Sequence, residues 1–289
     1  EALSEERKRP PVRKVGKMPK TPVDVKVLGE PKLIMQISSA DQLTEELAEF
    51  SPDYIYVPLE ILINNPAAVL PFAKKGAVPV AVLPRVITDD QMPEIIAMLS
   101  RASAMGVTQA LIGNMGHIRF TRLSGFDLRG DFGLNVYNSD TLQVLNAAGF
   151  LSATASFELR LSQIRDMQKP INTEIIAYGR LPLMVSDQCI IKNSAGQCNC
   201  QNPVSLSDRT GQIFPVMREF GCRNVIFNAH KLFLADKQED YGDIGVWGIR
   251  LIFTNEGAKE CVRIAESYTG KTDYVPNGLT RGLYYRGVE

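Results

Sequence analysis

Short apolar runs alternate with segments of helical periodicity along most of the chain. From Pro31 onward, each run rich in Val, Ile, Leu or Ala ends at a polar or proline-marked break, after which apolar residues recur at helical spacing. Such runs are typical of strands that are buried on both faces of a parallel sheet. The pattern predicts eight strands, at residues 33–37, 54–57, 80–83, 110–112, 133–136, 153–156, 174–178 and 247–253.

Helices are predicted between these strands. Asn65 and Pro66 begin one of them and Ser139 caps another at 140–148, while the other main helices are predicted at 41–50, 88–105, 161–167 and 257–267. Because strands and helices alternate, the sheet is predicted to be parallel, and eight units predict closure into a (β/α)8 TIM-type barrel of the α/β class. A doubly wound open sheet is the alternative.

One connection is much longer than the others. Residues 182–245 separate the seventh and eighth strands, and the stretches 212–216 and 224–234 within them have β character. We therefore predict a cysteine-containing β insertion between strands 7 and 8 of a barrel that spans residues 32–289. Since the loops that follow the strands build the active site in barrel enzymes, we expect chemistry in this insertion.

The first 31 residues differ in composition from the rest. They hold five prolines and, before position 21, seven Lys and Arg side chains. This composition predicts a solvated basic linker, with an RNA-contacting arm as the alternative. Because the sequence begins with Glu1 and not Met, we expect further N-terminal domains of the same protein.

Charge and hydropathy limit the partners that are expected. The 32 basic and 32 acidic side chains cancel, so there is no global attraction to nucleic acid or to an anionic membrane, although a local basic patch is compatible with this balance. No apolar run reaches the roughly 20 residues of a spanning helix, and no secretory signal follows the N-terminus. We expect a cytoplasmic protein without membrane contact.

Four of the five cysteines lie in the insertion, at Cys189, Cys198, Cys200 and Cys222. Thiolates are soft ligands for zinc and for iron–sulfur clusters, and four is the usual number of ligands for either. The spacing matches neither two CxxC motifs nor the cysteine pattern of ferredoxins. The alternative is that some of these cysteines are buried as small hydrophobic side chains and bind no metal. Cys261 lies on an amphipathic helix, where core packing is expected.

Polar residues also follow the predicted strands, where they would point into the barrel mouth. They are Glu60, Arg85, Asn114, His117, Asn135, Asn138, Glu158, Arg160, Arg180 and Arg250. Four arginines suit an anionic ligand or a phosphate backbone, and salt bridges along the rim, such as Arg180 with Glu158, are the alternative. Neither HExxH nor GxSxG occurs, so local evidence for hydrolysis is thin. Arg180, Glu158 and Asn135 are the candidates for catalysis.

Several motifs resemble those of the collagenase-like peptidase family U32, and the resemblance is strongest to the long members of that family. They are ALIGNMGHIRF, GDFGLNVYNSDTLQVL, SFELRLSQI, EIIAYGRLPLM, LSDRTGQIFPV and TRGLYYRGVE. The resemblance implies oxygen-independent hydroxylation, since better understood members act on ribosomal RNA cytidine, transfer RNA uridine or the ubiquinone ring. It also implies a [4Fe–4S] cluster on four cysteines.

The ligand pattern of the ubiquinone members matches this chain in part. Of their first two cysteines, the later corresponds to Cys189 and the earlier to Pro182. Their last two correspond to Cys198 or Cys200 and to Cys222. Relative to that pattern, this chain lacks one cysteine ligand and has one additional cysteine. Zinc is therefore an alternative to the iron–sulfur cluster at this site.

These features lead to an expected function and two alternatives. The leading hypothesis is the cluster-bearing barrel of an RNA-base hydroxylase. A structural-zinc barrel without catalysis and a collagenase-like peptidase are the alternatives. We also expect the closing segment 277–289, with Tyr284, Tyr285 and two arginines, to fold back across the barrel mouth, as a base clamp or as a latch.

Overall fold

The structure is a computed structural model that describes residues 29–197 and 204–287. The predicted linker therefore lies almost entirely outside the described residues, as do Cys198 and Cys200. No helix in these two ranges is long and apolar enough to cross a membrane.

Fourteen strands are present in the described residues. They are β1 (Lys32–Gln36), β2 (Tyr54–Pro58), β3 (Val78–Val82), β4 (Gln109–Ile112), β5 (Asp127–Gly130), β6 (Phe150–Thr154), β7 (Asn172–Gly179), β8 (Pro182–Ser186), β9 (Val204–Ser207), β10 (Ile213–Glu219), β11 (Arg223–Phe227), β12 (Lys231–Phe233), β13 (Gly248–Ile252) and β14 (Leu279–Thr280). Strands β1 to β7 pair in chain order as parallel neighbours. Strand β13 pairs in parallel with both β7 and β1. The predicted closed barrel of eight parallel strands is therefore confirmed, and the open sheet is wrong.

Ten helices are present in the described residues, most of them in the connections that follow the barrel strands. They are α1 (Glu45–Ala48), α2 (Leu59–Asn64), α3 (Pro66–Lys74), α4 (Met92–Ala104), α5 (Ile118–Leu123), α6 (Ser139–Ala147), α7 (Leu161–Asp166), α8 (Ile190–Ala195), α9 (Gln238–Gly242) and α10 (Ala258–Tyr268). Pro66 begins α3 as predicted, because its fixed φ suits the first helical position. The cap of α6 is Asn138, one residue earlier than predicted, and its side chain accepts the Thr141 N–H.

The predicted strand at 133–136 is wrong. The fifth strand lies earlier, at β5, and Phe132–Leu134 form a single 3₁₀ turn that ends at Asn135 with a φ of 51°. The sequence of β5 is polar because it contains Arg129. This arginine nevertheless points into the barrel, where it is 2 % exposed and lies over the rings of Tyr54 and Trp247. A buried arginine of this kind breaks the apolar pattern on which strand prediction depends.

Between β7 and β13 the chain forms a second, smaller sheet. Strands β8 to β11 make an antiparallel sheet in the order β8–β11–β10–β9, which we call the roof sheet. Its Val225 and Phe227 face the barrel residues Gln36 and Val82 across a cavity. The roof sheet therefore lies over the C-terminal ends of the barrel strands.

Arg223 fixes the roof sheet to the barrel. Its side chain is 3 % exposed and donates to Val86 O (2.8 Å) and Gln91 Oε1 (2.9 Å) in the loop before α4. Its third partner is Asp187 Oδ1 at 2.9 Å, immediately after β8. One buried guanidinium thus connects the neighbouring roof strands β8 and β11 to the barrel wall.

The closing segment folds back onto the protein, but beside the mouth and not across it. β14 pairs with β12, and the 2 % exposed Tyr284 donates its hydroxyl to Ile176 O in β7 at 2.8 Å. Arg281 binds both carboxylate oxygens of Asp236 at 2.6 Å. None of the described residues 277–287 lines the mouth cavities, so these contacts favour the latch over the base clamp.

Candidate functional site

Two adjoining cavities lie between the barrel strand ends and the roof sheet. Their volumes are about 200 Å³ and about 120 Å³, and they share Gln36, Val82, Glu219, Val225 and Phe227 among their walls. We call them together the mouth cavity. A larger cleft of about 690 Å³ lies outside the barrel, between α9 and the segment after α10, away from the strand ends where barrel chemistry is expected.

Two arginines reach the smaller cavity without a carboxylate partner in contact. The Arg85 guanidinium lies 4.7 Å from the centre of the Phe132 ring and has no ion pair among the described residues. Arg180 donates to Asn228 O (3.0 Å), to Ala229 O and to Asn255 Oδ1 (3.2 Å). These acceptors are neutral, so both positive charges remain available to a ligand.

Arg180 owes its position to the glycine before it. Gly179 has a φ of 128°, and a Cβ there would clash with Ile252 O at the end of β13. The absence of a side chain lets β7 approach β13 closely before the chain turns outward. The alternative for Arg180, a rim salt bridge to Glu158, is wrong, because Arg180 binds neutral acceptors and Glu158 accepts the Tyr137 hydroxyl.

The floor of the mouth cavity is an ionic network inside the barrel. Arg250 is fully buried and donates to Asp131 Oδ1 and Thr154 Oγ1, each at 2.7 Å, and to Gln36 Oε1 at 3.1 Å. Below it, fully buried Glu174 lies 3.9 Å from Arg250 Nε. Burying charges in this way is costly unless they are paired, so their partners must be held in register.

The network continues to the far end of the barrel. Glu174 Oε1 accepts the hydroxyls of Tyr56 (2.7 Å) and Ser152 (2.6 Å) and lies 3.6 Å from Arg129 Nη1. Burial and the charge of Glu174 raise the pKa of Tyr56, which keeps its hydroxyl protonated as a donor. Glu174 therefore links Arg129 at the bottom to Arg250 at the mouth.

Glu219 projects from the roof sheet into the mouth cavity. Its Oε1 accepts the Arg85 backbone N–H at 3.0 Å, while its Oε2 is enclosed and has no hydrogen-bond partner. Burial raises the pKa of this carboxyl. The cavity thus has a protonatable acid in its roof and arginines in its walls.

The remaining predicted mouth residues separate into three groups. Glu60 lines the larger cavity and lies 3.6 Å from Arg218. Asn114 and Asn138 cap helical turns, and His117 is buried beside Phe120. The exposed residues outside both cavities are Asn135, Glu158 and Arg160. Of the three candidates for catalysis, only Arg180 lies in the mouth cavity.

Two of the four predicted metal ligands lie at the same end of the roof sheet. Cys189 caps α8 shortly after β8, and exposed Cys222 immediately precedes β11, its antiparallel neighbour in which Asn224 faces Ser186. Within the described ranges, no group of three His, Cys, Asp or Glu side chains is placed to hold a metal ion. Because Cys198 and Cys200 lie outside those ranges, convergence of all four sulfurs stays a prediction.

Core packing of Cys261 is confirmed. Its side chain is fully buried on α10, and its Sγ lies 3.8 Å from Glu256 O. Burial raises the pKa of this thiol well above its usual range.

Among the described residues, no group suited to nucleophilic hydrolysis lines the mouth cavity. Neither cavity is lined by a histidine or a cysteine, and Ser38 donates its hydroxyl to Phe253 O at 2.7 Å. His230 is near the closing segment, where its Nδ1 lies 3.0 Å from Gly278 O. No nucleophile–base pair is therefore assembled at this mouth by the described residues.

Comparison with known proteins gives one family match. The sequence model of peptidase family U32 matches residues 67–251. No curated protein sequence matches the chain.

Several solved structures resemble the chain at low identity. The "Native KDPGal structure" is 13 % identical, with 83 % of this chain and 93 % of that chain covered and a TM-score of 0.48. The U32 peptidase Mk0906 is 10 % identical, with coverages of 80 % and 96 % and a TM-score of 0.45. Orotidine 5'-phosphate decarboxylase from Pyrococcus horikoshii OT3 is 8 % identical, with coverages of 82 % and 99 % and a TM-score of 0.45.

Proposed function

The chain belongs to peptidase family U32, and on that premise we propose that it is the barrel of an iron–sulfur-dependent, oxygen-independent RNA-base hydroxylase. Its substrate is a single base of the ribosomal RNA cytidine type, taken into the mouth cavity. The proposed partners are RNA and N-terminal domains of the same protein, in the cytoplasm. A barrel stabilised by a structural zinc ion, without catalysis of its own, is the second candidate.

The observation that carries this proposal is the composition of the mouth cavity. Its two parts, of about 120 Å³ and about 200 Å³, together reach only the lower end of the roughly 300–1,000 Å³ of drug-sized ligand pockets. A single ring matches this size better than an extended polypeptide does. The arginines Arg85 and Arg180 suit a ligand joined to phosphate. The described part of the lining offers no nucleophile with a base beside it, which counts against peptide hydrolysis.

The cofactor is proposed to bind Cys189, Cys198, Cys200 and Cys222. Support comes from the position of Cys189 and Cys222 at the same end of the roof sheet and from the contacts that hold this end. Asn224 Oδ1 accepts the Ile190 N–H at 2.7 Å, one residue from Cys189, and Arg223 follows Cys222. Four thiolates suit a [4Fe–4S] cluster or zinc. When bound, a cluster supplies one-electron chemistry, whereas zinc at four thiolates stabilises the fold.

The metal content of the full chain tests this proposal. After anaerobic purification, iron and acid-labile sulfide in a four-to-four ratio are expected, together with broad visible absorbance. Cys189→Ala and Cys222→Ala should each lose the iron, whereas Cys261→Ala should keep it because Cys261 lies in the core. Stoichiometric zinc would favour the second candidate, and a chain without bound metal would refute both.

The reaction itself is tested by mass spectrometry of RNA. Replacing a C–H bond by C–OH without dioxygen requires an organic oxygen donor that is itself reduced by two electrons. Anaerobic incubation of the loaded protein with unmodified ribosomal RNA and such a donor should add one oxygen atom to a cytidine, and Arg180→Met should reduce this without unfolding the protein. If denatured collagen is cleaved instead, and Cys189→Ala abolishes the cleavage, the peptidase hypothesis replaces the hydroxylase.

A further inference from the structure

The smaller part of the mouth cavity has a free hydrogen-bond acceptor in its wall. Asp131 Oδ1 is occupied, because it accepts from Arg250 Nη2 (2.7 Å) and from the Phe132 N–H (2.8 Å). Asp131 Oδ2 has no hydrogen-bond partner among the described residues, and the side chain is 15 % exposed. Since Arg250 neutralises the carboxylate, Oδ2 can accept a hydrogen bond without presenting an unbalanced charge.

A free donor lies beside this acceptor. The Arg85 guanidinium makes no side-chain hydrogen bond or ion pair within the described ranges and is held only over the Phe132 ring. A Cβ built on Gly113 would lie 3.9 Å from both Asp131 Oδ2 and Arg85 Cγ. The Asp131 carboxylate and the aliphatic part of Arg85 therefore flank the space above Gly113, and all three residues line the same cavity.

Aromatic and branched side chains line much of the rest of this space, together with the polar residues Gln36, Ser38, Arg180 and Glu219. Phe132 lies on the barrel side and Phe227 on the roof side, with Val82, Val185 and Val225 between the polar groups. Aromatic and branched walls favour a planar ligand, whose faces gain from stacking while one edge reaches the polar pair. A sugar or an extended aliphatic chain lacks such faces.

We propose that Asp131 and Arg85 form the edge-reading pair of a site for a planar heterocycle, with Asp131 accepting from a ring or amino N–H and Arg85 donating to the neighbouring acceptor. Nucleobases carry such a donor–acceptor edge, and carboxylates and arginines are among the side chains that read it. The inference rests on the proposed function and deepens it, since it names two specificity-determining residues that the sequence analysis did not combine.

Gly113→Ala is the most direct test. The added methyl would lie in ordinary van der Waals contact, 3.7 Å from Asp131 Cβ, so the fold is expected to tolerate it. It would nevertheless fill the space between the two reading groups. Gly242→Ala is the matched control, because a Cβ there meets open space far from the mouth.

Binding of nucleosides to the full chain is the measurement, by calorimetry or ligand-observed NMR. Cytidine and uridine should bind, and Gly113→Ala and Arg85→Met should each weaken binding by about tenfold or more while Gly242→Ala leaves it unchanged. 3-Methyluridine, whose edge has no N–H donor, should bind at least about tenfold more weakly than uridine. Equal binding of uridine and 3-methyluridine, or full binding by folded Gly113→Ala, would overturn the proposal.

Two further comparisons separate this proposal from the cofactor proposal and identify the source of the base. If the chain holds no metal but binds nucleosides in a Gly113-dependent way, the edge-reading pair stands and the cluster assignment fails. If the chain holds a cluster and modifies RNA but binds uridine and 3-methyluridine equally well, only the proposal of the edge-reading pair is rejected. A short single-stranded RNA that binds more tightly than its nucleoside identifies an RNA base, and equal affinity identifies a free nucleoside.

Discussion

His117 is enclosed after β4 with its ring against Phe120, is 4 % exposed, and has no hydrogen-bond partner at Nδ1. Burial lowers the pKa of His117 from 6.5 to about 4. The unfolded chain therefore takes up a proton that the folded chain resists, so this contribution to stability is complete above pH 6.5 and is lost as the pH falls toward 4. Protonation of His117 is therefore expected to lower the free energy of unfolding by about 3 kcal/mol in acid, and His117→Phe should remove this loss.

Urea unfolding at pH 7.5 and at pH 4.5 measures this effect. His230→Gln is the control, because His230 is exposed, and it should retain the pH dependence of the original chain. If His117→Phe loses as much stability between the two pH values as the original chain, other groups cause the acid sensitivity.

At the scale of residues, the sequence predicted the mouth only in part. Arg85 and Arg180 were found because they follow strands whose apolar runs are clear. Asp131 was missed because β5, the strand before it, carries the buried Arg129 and reads as polar. Glu219 was missed because it lies on the roof, and nothing in local sequence says that an insertion strand faces the barrel. The pairing of Asp131 with Arg250 joins residues 119 positions apart, which no local pattern encodes.

At the scale of elements, the latch interpretation of the closing segment can be tested at its buried anchor. Tyr284 is 2 % exposed, and its backbone O accepts the Leu161 N–H at 2.9 Å at the start of α7. Truncating a buried aromatic side chain costs about 3–5 kcal/mol, so Tyr284→Ala should lower the melting temperature by at least about 6 °C. Differential scanning calorimetry measures the change.

Its neighbour supplies the matched control. Tyr285 is 45 % exposed, and Tyr285→Ala should shift the melting temperature by no more than about 2 °C. Deletion from Thr280 onward should destabilise at least as much as Tyr284→Ala. A truncated chain that melts like the original but loses RNA affinity would restore the base-clamp hypothesis.

Among the elements, strand–helix alternation was enough to predict eight parallel strands, because barrel strands are apolar on both faces. The fifth strand was placed too late, and the helix predicted at 41–50 is a 3₁₀ turn followed by α1. The order of the roof sheet is not encoded by periodicity, since antiparallel pairing of β8 with β11 depends on contacts between distant residues. Arg223 supplies such a contact, through Val86 and Gln91.

At the scale of the whole molecule, the carboxylate of Glu174 connects the buried charged residues of the barrel interior. Glu174 is fully buried and lies within 4 Å of both Arg129 and Arg250, while Tyr56 and Ser152 donate to it. Removing one partner of a buried ionic group leaves the others uncompensated, which typically costs about 3–5 kcal/mol. Glu174→Gln keeps the volume and removes the charge, so we expect a loss of stability in that range, measured by urea unfolding at pH 7.

The contrast with a surface ion pair shows why this loss is specific to the interior. Lys32 lies 2.8 Å from Asp53, but its side chain is 51 % exposed, and Lys32→Met should cost no more than about 1 kcal/mol. Because Arg250 also positions Asp131, the Glu174→Gln protein that remains folded should bind nucleosides more weakly, whereas Lys32→Met should bind them normally. A Glu174→Gln chain with unchanged stability and unchanged binding would mean that the interior arginines need no charged partner, and the network would then have no part in shaping the mouth.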